Sequence, residues 1–450
     1  MRSPASLAPS GAPAAAAVSL MAAPPTRAAT ACGIDFGTSN STAGWCGPHT
    51  PPGQSVLLAL EDAKTTLPSV IFFHAEADQH DHISYGRAAL SDYLAGYEGR
   101  LMRSLKSLLG TSMMDDHTEV MGRAVPYQDL LARFIGELKR RAEAAAGRPF
   151  TSAVLGRPVF FIDDDAAADQ RAQDTLGSIA RRAGLTHIAF QYEPIAAAFD
   201  YESTLSREEL VLVVDIGGGT SDFTLIRLSP ARARQADRRA DILASGGVHI
   251  GGTDLDRALS LASVMPTLGM GGLLKSGLQV PSAQYFNLAT WHTINLAYSR
   301  KASAQLLDLS REAVDKTGLD RLQSLVRERA GHWLAMQVEA AKIELSGQPV
   351  AVMDLGRIAA GETLALSRAG FDTAIDGLVS RIESTIGQLL VDAGVGRGAG
   401  DTVFFTGGSS GVPLLKARIA ALLGDVHCVE GDRFGSIGAG LALDAQRKFG

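Results

Sequence analysis

The sequence predicts an α/β protein in which two similar lobes enclose a central cleft. The chain has 450 residues, 46% of them hydrophobic and 20% charged, a length at which one hydrophobic core usually divides into two. A strand followed by a turn of Gly, Ser and Thr occurs twice, and the aspartates that end the two strands, Asp35 and Asp215, lie 180 residues apart. This period is too long for a solenoid and indicates a duplicated lobe.

Composition and charge argue against several classes of protein. The net charge of −6 gives no reason to expect nucleic acid or an anionic membrane as a partner. No run approaches the eighteen or so apolar residues of a membrane-spanning helix. The three cysteines, Cys32, Cys46 and Cys428, are too few and too scattered for a disulfide framework or a zinc site. These observations favour a cytoplasmic protein.

The first thirty residues differ in composition from the rest of the chain. They are rich in Ala, Pro and Ser, with only Arg2 and Arg27 charged. A disordered extension, or a misplaced start with Met21 nearby, is the favoured interpretation. A secretory signal is the alternative, although Pro24 and Pro25 interrupt the apolar run that it would need.

Strands and helices are expected throughout residues 31–206, the predicted first lobe. Short apolar runs bounded by turn residues predict strands at Ala31–Gly37, Ser41–Cys46, Ser55–Leu60, Pro68–His74, Ser152–Val159 and His187–Tyr192. Apolar residues at helical spacing predict helices over Pro126–Ala146 and Asp163–Ala183.

The predicted second lobe covers residues 207–430. Strands are expected at Leu210–Ile216, Asp222–Leu228 and Thr402–Thr406, followed by a helix from Val412. Residues from about 253 to 350 have few strand signals and are predicted to form an inserted helical subdomain. The last segment, residues 431–450, is predicted to be a helix that returns to the first lobe.

Each glycine-rich turn is a candidate phosphate-binding loop. Such a turn presents successive N–H groups without a Cβ to block close approach, and the preceding aspartate can hold Mg²⁺ through water. Asp35 and Asp215 are therefore the candidate metal residues. The candidate phosphate ligands are Gly37, Thr38, Ser39, Gly217, Gly218, Gly219 and Thr220. One such turn alone could be an ordinary hairpin connection, but two, each after a strand that ends in Asp, argue against that alternative. The sequence contains no Gly-Lys-Ser/Thr loop, which excludes the P-loop class.

Six segments resemble, in order and spacing, the signature set of the DnaK-type, seventy-kilodalton heat-shock chaperones. They are Gly33–Gly44, Tyr192–Tyr201, Asp215–Asp222, Gly246–Asp254, Thr406–Pro413 and Gly431–Leu443. The run Tyr-Glu-Pro-Ile-Ala-Ala-Ala, which opens the second of these, also separates the family from most sugar kinases. The overall length and the ending resemble the YegD-like branch. The resemblance implies a duplicated actin-like (ribonuclease H-like) ATPase fold that binds ATP or ADP with Mg²⁺.

The resemblance also implies roles for single residues at the phosphates. Glu193 would orient the attacking water near Mg²⁺, and Lys106 would contact the γ-phosphate. From the residues alone, Glu193 could be a carboxylate at a helix N-terminus and Lys106 a solvated lysine. The implied catalytic set is Lys106, Glu193, Thr220, Asp215 and Asp35, with Asp222 as a further carboxylate and Gly251 and Gly252 approaching from the second lobe.

At the nucleoside, the resemblance implies a ligand-binding helix and a floor. Glu339, Lys342 and Ser346 share one helical face, although an exposed amphipathic face is the simpler alternative. The floor would be Gly407, Gly408 and Ser409, and Asp432 would close the site. Where the family holds adenine between two arginines, this chain has Ile343 and Gly411, so stacking and cation–π contributions would be lost.

The predicted function is a Mg-ATP-binding ATPase with a chaperone-like role. The sequence stops after the last helix of the nucleotide-binding half, so we expect no peptide-binding domain of its own. The alternatives are a nucleotide switch that does not hydrolyse, an actin-like structural protein and, less favoured, a small-molecule kinase. The expected partners are the nucleotide and unidentified co-chaperone or client proteins, without nucleic acid or membrane.

Overall fold

The computed structural model describes residues 31–51, 53–75, 82–120, 122–162, 165–235, 237–396, 399–424, 426–432 and 435–450. The predicted N-terminal extension, residues 1–30, lies outside the described residues. So do residues 163–164, at the expected start of one helix, and residues 433–434, near the start of the last one.

The first lobe contains a mixed sheet, two small sheets and the helices that cover them. Its elements are β1 (Ala31–Phe36), β2 (Asn40–Trp45), β3 (Val56–Leu57), β4 (Thr66–Pro68), β5 (Val70–His74), β6 (Ile83–Tyr85), α1 (Gly86–Leu94), β7 (Gly99–Arg103), β8 (His117–Val120), β9 (Arg123–Pro126), α2 (Tyr127–Ala146), β10 (Ser152–Arg157), α3 (Ala166–Arg182), β11 (His187–Tyr192), α4 (Glu193–Ala197) and α5 (Phe199–Thr204). A 3₁₀ helix at Leu105–Leu108 directly follows β7.

The second lobe contains a five-stranded sheet, a helical region and a hairpin. Its elements are β12 (Glu209–Ile216), β13 (Ser221–Leu228), β14 (Ile242–Val248), α6 (Gly252–Leu259), α7 (Ala283–Leu288), α8 (Arg300–Glu312), α9 (Thr317–Arg327), α10 (Gly331–Gly347), β15 (Val350–Asp354), β16 (Thr363–Ser367), α11 (Arg368–Asp392), β17 (Thr402–Thr406), α12 (Pro413–Leu423) and β18 (His427–Glu430). The final helix is α13 (Ser436–Phe449), and a 3₁₀ helix covers Trp291–Tyr298.

The two large sheets repeat one order of strands. The first lobe has the order β11-β10-β1-β2-β3, and the second has the equivalent order β18-β17-β12-β13-β14. In each lobe an antiparallel hairpin, β1–β2 or β12–β13, places its first strand parallel to the next strand of the sheet. The duplication predicted from the sequence is therefore confirmed, and the architecture is the duplicated actin-like fold.

In each lobe, the helix that follows the last strand packs against the other lobe. Ile195 and Phe199, on α4 and α5, pack in one hydrophobic cluster with Val211 and Val213 of the second sheet. Conversely, α13 packs on β1, β2 and β10, where Leu441 is fully buried. The two crossing helices tie the lobes together at the base of the cleft. The exact residues at which the lobes begin and end stay a prediction.

The region predicted to be helical contains α6 to α10, joined by 3₁₀ and π turns. Its core includes Tyr285, Leu288, Ile294 and Leu322, all at most 2% exposed. This hydrophobic packing is continuous with the core of the second sheet. Its status as a separate subdomain stays a prediction.

Two predicted strands differ from the structure. Ser55–Leu60 contains only the two-residue β3, and Pro68–His74 divides at Ser69. The backbone N–H of Ser69 donates to Ser39 O at 2.9 Å, so the chain turns toward the first glycine-rich loop instead of extending one strand. Consequently β5 joins β6 and β7 in a separate sheet, which the sequence analysis did not predict because strands this short lack clear periodicity.

Among the residues that the structure describes, no helix has both the length and the apolar character needed to cross a membrane.

Candidate functional site

The two glycine-rich turns meet in the cleft. A Cβ added at Gly218 would collide with the hydroxyl of Ser39, so the turn of the second lobe directly faces the turn of the first. Gly217 N–H closes its own hairpin by donating to Thr220 O at 2.9 Å. A side chain at position 218 would require the Ser39 hydroxyl to move. The arrangement places backbone N–H groups from both lobes around one small space.

Ser69 holds the first turn in position. Its hydroxyl donates to Gly37 O at 2.7 Å and lies 2.9 Å from the buried hydroxyl of Ser41, while its N–H bonds Ser39 O. Thr38 lies between these two anchored carbonyl groups. Sequence reasoning missed Ser69 because it is about thirty residues from the turn that it supports.

The second turn is held by the start of α6. Gly252 N–H donates to Gly217 O at 2.9 Å, and Thr253 donates to Gly218 O through its N–H at 2.8 Å and its hydroxyl at 2.9 Å. Gly251 is the residue that caps α6. Gly251 and Gly252 therefore lie beside the second glycine-rich turn, and their approach to a nucleotide stays a prediction. Sequence reasoning missed Thr253.

Four carboxylates from both lobes surround one lysine. Asp215 lies directly opposite Asp222 in the register of the second hairpin. The pKa of Asp215 is raised to about 8, first by burial and then by the charges of Asp222, Glu193 and Asp35, while the Lys106 ammonium opposes the increase. Burial and then Glu193 raise the pKa of Asp35 to about 7, again against Lys106. The concentrated negative charge makes this a site for a cation.

Lys106 is buried and paired. It lies on the 3₁₀ helix after β7, and its Nζ donates to Glu193 Oε1 at 2.7 Å. The side chains of Lys106 and Glu193 are only 10% and 12% exposed. Burial lowers the pKa of Lys106, but Glu193 and Asp35 outweigh it and the net shift is upward. The lysine is therefore a fixed cation in the cleft, not a solvated side chain.

The donor set suits Mg²⁺ held through water. All the charged groups beside Lys106 are oxygen donors, which Mg²⁺ prefers, and this ion keeps several of its waters. Within the described residues, no three His, Cys, Asp or Glu side chains converge closely enough to bind a metal directly. Asp35 and Asp215 would hold the ion through its water shell, and its charge would relieve the repulsion among the carboxylates.

At the predicted nucleoside end, two of the expected ligands are bonded within the second lobe. Lys342 Nζ lies 2.9 Å from Asp256 Oδ1 and donates to Gly252 O at 3.2 Å. The Ser346 hydroxyl donates to the carbonyl of Lys342 on its own helix. Ile343 is 61% exposed. Glu339 is exposed on the same helix, so only this member of the predicted face presents a side chain that is open to solvent.

The floor lies against the second hairpin. Gly407 has a φ of +83°, and a Cβ there would collide with Asp215 Oδ1, so a glycine is required. Ser409 N–H donates to Ile216 O at 3.0 Å, and Gly408 is exposed between them. Asp432 precedes α13, where its carbonyl accepts from Ser436 N–H at 3.2 Å.

The buried partner of Lys342 was also missed by sequence reasoning. Asp256 lies four residues after Gly252, one helical turn into α6. Burial raises the pKa of Asp256 to about 6, although Lys342 lowers it. An acidic residue at i+4 from a glycine that approaches the ligand is a signal that could have identified it.

Comparison with known proteins matches this chain to one protein family. The model of the family described as Hsp70 protein matches residues 31–264 and 305–446, two stretches that include every predicted site residue. A chaperone protein DnaK of Ureaplasma urealyticum serovar 10 is 27% identical over 420 residues. The alignment covers 91% of this chain and 57% of that DnaK, so the chain spans little more than half the length of this relative.

Proposed function

Because the chain belongs to the Hsp70 family, we propose that it binds Mg-ATP between its lobes and hydrolyses it, as an ATPase with a chaperone-like role in protein folding. The observation that carries this proposal is the meeting of two phosphate-type hairpins over four carboxylates and one buried lysine. A nucleotide polyphosphate with its Mg²⁺ has the charge and the length to join these groups.

The proposal gives each residue at the phosphates a role. The N–H groups of residues 37–39 and 217–220 would bind the phosphate oxygens. Asp35 and Asp215 would bind water of the Mg²⁺ shell, and the bound ion would neutralise phosphate charge. Glu193 would orient the attacking water, and the Lys106 ammonium would stabilise the charge that develops on the γ-phosphate. Thr220, whose hydroxyl donates to Asp222 at 3.1 Å, would contact the same phosphate.

The nucleoside would lie along α10. Glu339, Lys342 and Ser346 would face it on one side, with Gly407, Gly408 and Ser409 as the floor and Asp432 at the edge. Since Lys342 already binds Asp256, its contribution would be to position the helix as well as to contact the nucleotide.

The proposal also includes the cellular compartment. Cys32 and Cys46 are buried free thiols, and Cys428 is an exposed one. Unpaired thiols are typical of a reducing compartment, which favours the cytoplasm. Client and co-chaperone proteins are the proposed macromolecular partners.

Nucleotide binding is tested by thermal unfolding. A ligand that binds only the native state at a hundred times its Kd stabilises it by about 2.7 kcal/mol, so millimolar Mg-ADP should raise the Tm clearly. Asp215→Ala should reduce the rise. Asp129→Ala, which removes a surface carboxylate paired with Arg182, is the matched control and should leave the rise intact. An unchanged Tm of the folded parent would overturn the proposal.

Hydrolysis is tested separately by phosphate release in a single turnover. The proposed ATPase should release phosphate faster than the uncatalysed background. Tight nucleotide binding without phosphate release would instead identify a nucleotide switch.

A further inference from the structure

Each glycine-rich turn is held by a hydroxyl residue that lies outside the turn. In the first lobe, the Ser69 hydroxyl donates to Gly37 O at 2.7 Å and the Ser69 N–H donates to Ser39 O at 2.9 Å. In the second lobe, Thr253 donates to Gly218 O twice, through its N–H at 2.8 Å and its hydroxyl at 2.9 Å. The two lobes thus share one arrangement, in which the hydroxyl and the N–H of a single residue bind carbonyl groups of the turn.

The direction of the Ser69 hydroxyl is fixed by its neighbours. A serine hydroxyl has one proton to donate, and Ser69 gives it to Gly37 O, so the Ser41 hydroxyl, 2.9 Å away, is the donor of the second bond. Ser41 is fully buried and Ser69 is 4% exposed. Water therefore has little access to compete with the bonds that run from Ser41 through Ser69 to the turn.

Holding a carbonyl group also sets the direction of the N–H group that follows it. In a planar trans peptide, the C=O of one residue and the N–H of the next point in opposite directions, and the described residues contain no cis peptide bond. Because Gly37 O binds Ser69, the N–H of Thr38 points away from Ser69. The N–H of Gly219 points away from Thr253 for the same reason.

These two N–H groups remain available to a ligand. Among the residues that the structure describes, neither Thr38 N–H nor Gly219 N–H donates a hydrogen bond to the protein. A Cβ added at Gly219 would meet no atom within 4 Å, so the space beside this residue is open. The two turns face each other at Gly218 and Ser39, so N–H groups from both lobes border the same space.

We propose that Ser69 and Thr253 are positioning residues that direct one N–H group from each lobe, Thr38 and Gly219, at the phosphates of the bound nucleotide. Neither positioning residue needs to touch the nucleotide. A peptide that turned over would present its carbonyl oxygen to the phosphate and repel it, so the two hydroxyl residues favour phosphate binding. This inference rests on the proposed function, since it requires that a nucleotide bind in the cleft.

The first test is calorimetric titration of the full chain with Mg-ADP. Ser69→Ala leaves Gly37 O without its donor and should weaken ADP binding about tenfold. Thr253→Val has nearly the same shape and keeps the N–H bond, so a loss of about threefold is expected. The matched controls are Ser384→Ala and Thr385→Val. They remove hydroxyls that donate to carbonyl groups of their own helix, α11, and should leave the affinity unchanged.

Amide resonances distinguish positioning from general destabilisation. In the isotopically labelled parent, saturating Mg-ADP should shift the amide resonances of both Thr38 and Gly219, because each N–H then donates to a phosphate oxygen. Ser69→Ala should reduce the shift of Thr38 and leave that of Gly219, whereas Thr253→Val should do the reverse. A variant that was merely less stable would change both shifts together or neither.

The outcomes separate the two claims. Thr253 is exposed, so its valine variant should fold even if Ser69→Ala, at a buried site, does not. A parent that binds no Mg-ADP overturns the proposed function and this inference together. A parent that binds Mg-ADP, with a folded Thr253→Val variant that keeps the parent affinity and the parent shift of Gly219, overturns the inference alone. An equal loss of affinity in the two controls would overturn it as well.

Discussion

The two ends of the candidate site are built in different ways. The predicted phosphate end consists of hairpins that repeat between the lobes, with Asp35 and Asp215 at equivalent positions. The predicted nucleoside end has no such repeat, since it combines α10, α6 and the turn at residues 407–409. Its lysine is bound to Asp256, and Ile343 and Gly411 replace the arginines that the family places there.

This difference has a physical consequence. At the phosphate end, four carboxylates lie around the single Lys106 ammonium, and burial first raises the pKa of Asp215 to about 8. A further cation such as Mg²⁺ would balance the remaining negative charge. At the nucleoside end, Lys342 and Ser346 already satisfy one another and their neighbours. We infer that binding energy is concentrated at the phosphates.

The largest expected effect is on chemistry at the phosphate end. Lys106→Ala should lower the single-turnover hydrolysis rate by about a hundredfold or more, because one lost electrostatic group costs a few kcal/mol in the transition state. ADP affinity should stay nearly unchanged, since ADP has no γ-phosphate. Lys106→Met keeps the aliphatic stem and controls for packing. If the alanine variant hydrolyses ATP at the parent rate, the catalytic lysine has been assigned to the wrong residue.

The second effect is on stability at the nucleoside end. Lys342→Met keeps the stem but leaves Asp256 without its cation, and should lower the free energy of unfolding by about 2 kcal/mol. The expected loss is smaller than the usual cost of breaking a buried ion pair because Asp256 can take up a proton. Urea denaturation without nucleotide measures the free energy of unfolding of both proteins. Lys416→Met, which breaks a partly exposed pair with Glu430, is the control and should change little. A stability loss no larger than that of the control would mean that Lys342 is free to serve as a ligand.

The third effect concerns the acid sensitivity of α10. The pKa of His332 is lowered from its usual value to about 4, chiefly by burial, with the backbone hydrogen bond to Trp291 opposing the shift and the Arg103 charge adding to it. The unfolded histidine binds a proton below about pH 6.5 while the native one does not. The stability that the neutral ring contributes is therefore complete above pH 6.5 and is lost as pH falls toward 4. Between pH 7.5 and 5.5 the loss should be about 1 kcal/mol.

The measurement compares urea unfolding of the parent and His332→Gln at both pH values. The difference between the two proteins isolates this histidine from the other groups that titrate, and should shrink as the pH falls. The titratable or charged groups in its surroundings are Tyr93 on α1, Arg103 on β7, and Tyr298 and Arg329 next to the start of α10. A difference that is the same at both pH values would contradict the assignment.

How much the sequence could predict depended on whether a feature lies within one continuous segment or is assembled from distant ones. The hairpins are continuous in sequence, so their glycines and aspartates correctly predicted the duplicated fold and gave a candidate phosphate end, which stays a prediction. The side chains of Tyr93, Arg103, Trp291 and His332 stack on one another from four separate segments, and no local pattern indicates that they meet. Ser69 was missed for the same reason, and Lys106 and Glu193 were identified only through the family resemblance, because their 2.7 Å contact is made by the folded chain.

The smallest expected effect is on the choice of base. Ile343 and Gly411 cannot stack guanidinium planes on adenine, and each missing cation–π contact would have contributed about 0.5–2 kcal/mol. The remaining polar groups of α10, Lys342 and Ser346, are bonded within the lobe, which leaves Glu339 and the floor to distinguish one purine from another. Competition calorimetry with Mg-ATP and Mg-GTP should therefore give affinities within about tenfold, or 1.4 kcal/mol.

Ile343→Arg should restore one stacking partner and increase the preference for ATP. The control is Val391→Arg, which adds the same charge at a site on α11 that is 71% exposed and should leave the preference unchanged. A parent preference of a hundredfold or more would mean that Lys342 and Ser346 exchange their internal bonds for bonds to the base, and that the two ends of the site share the binding energy after all.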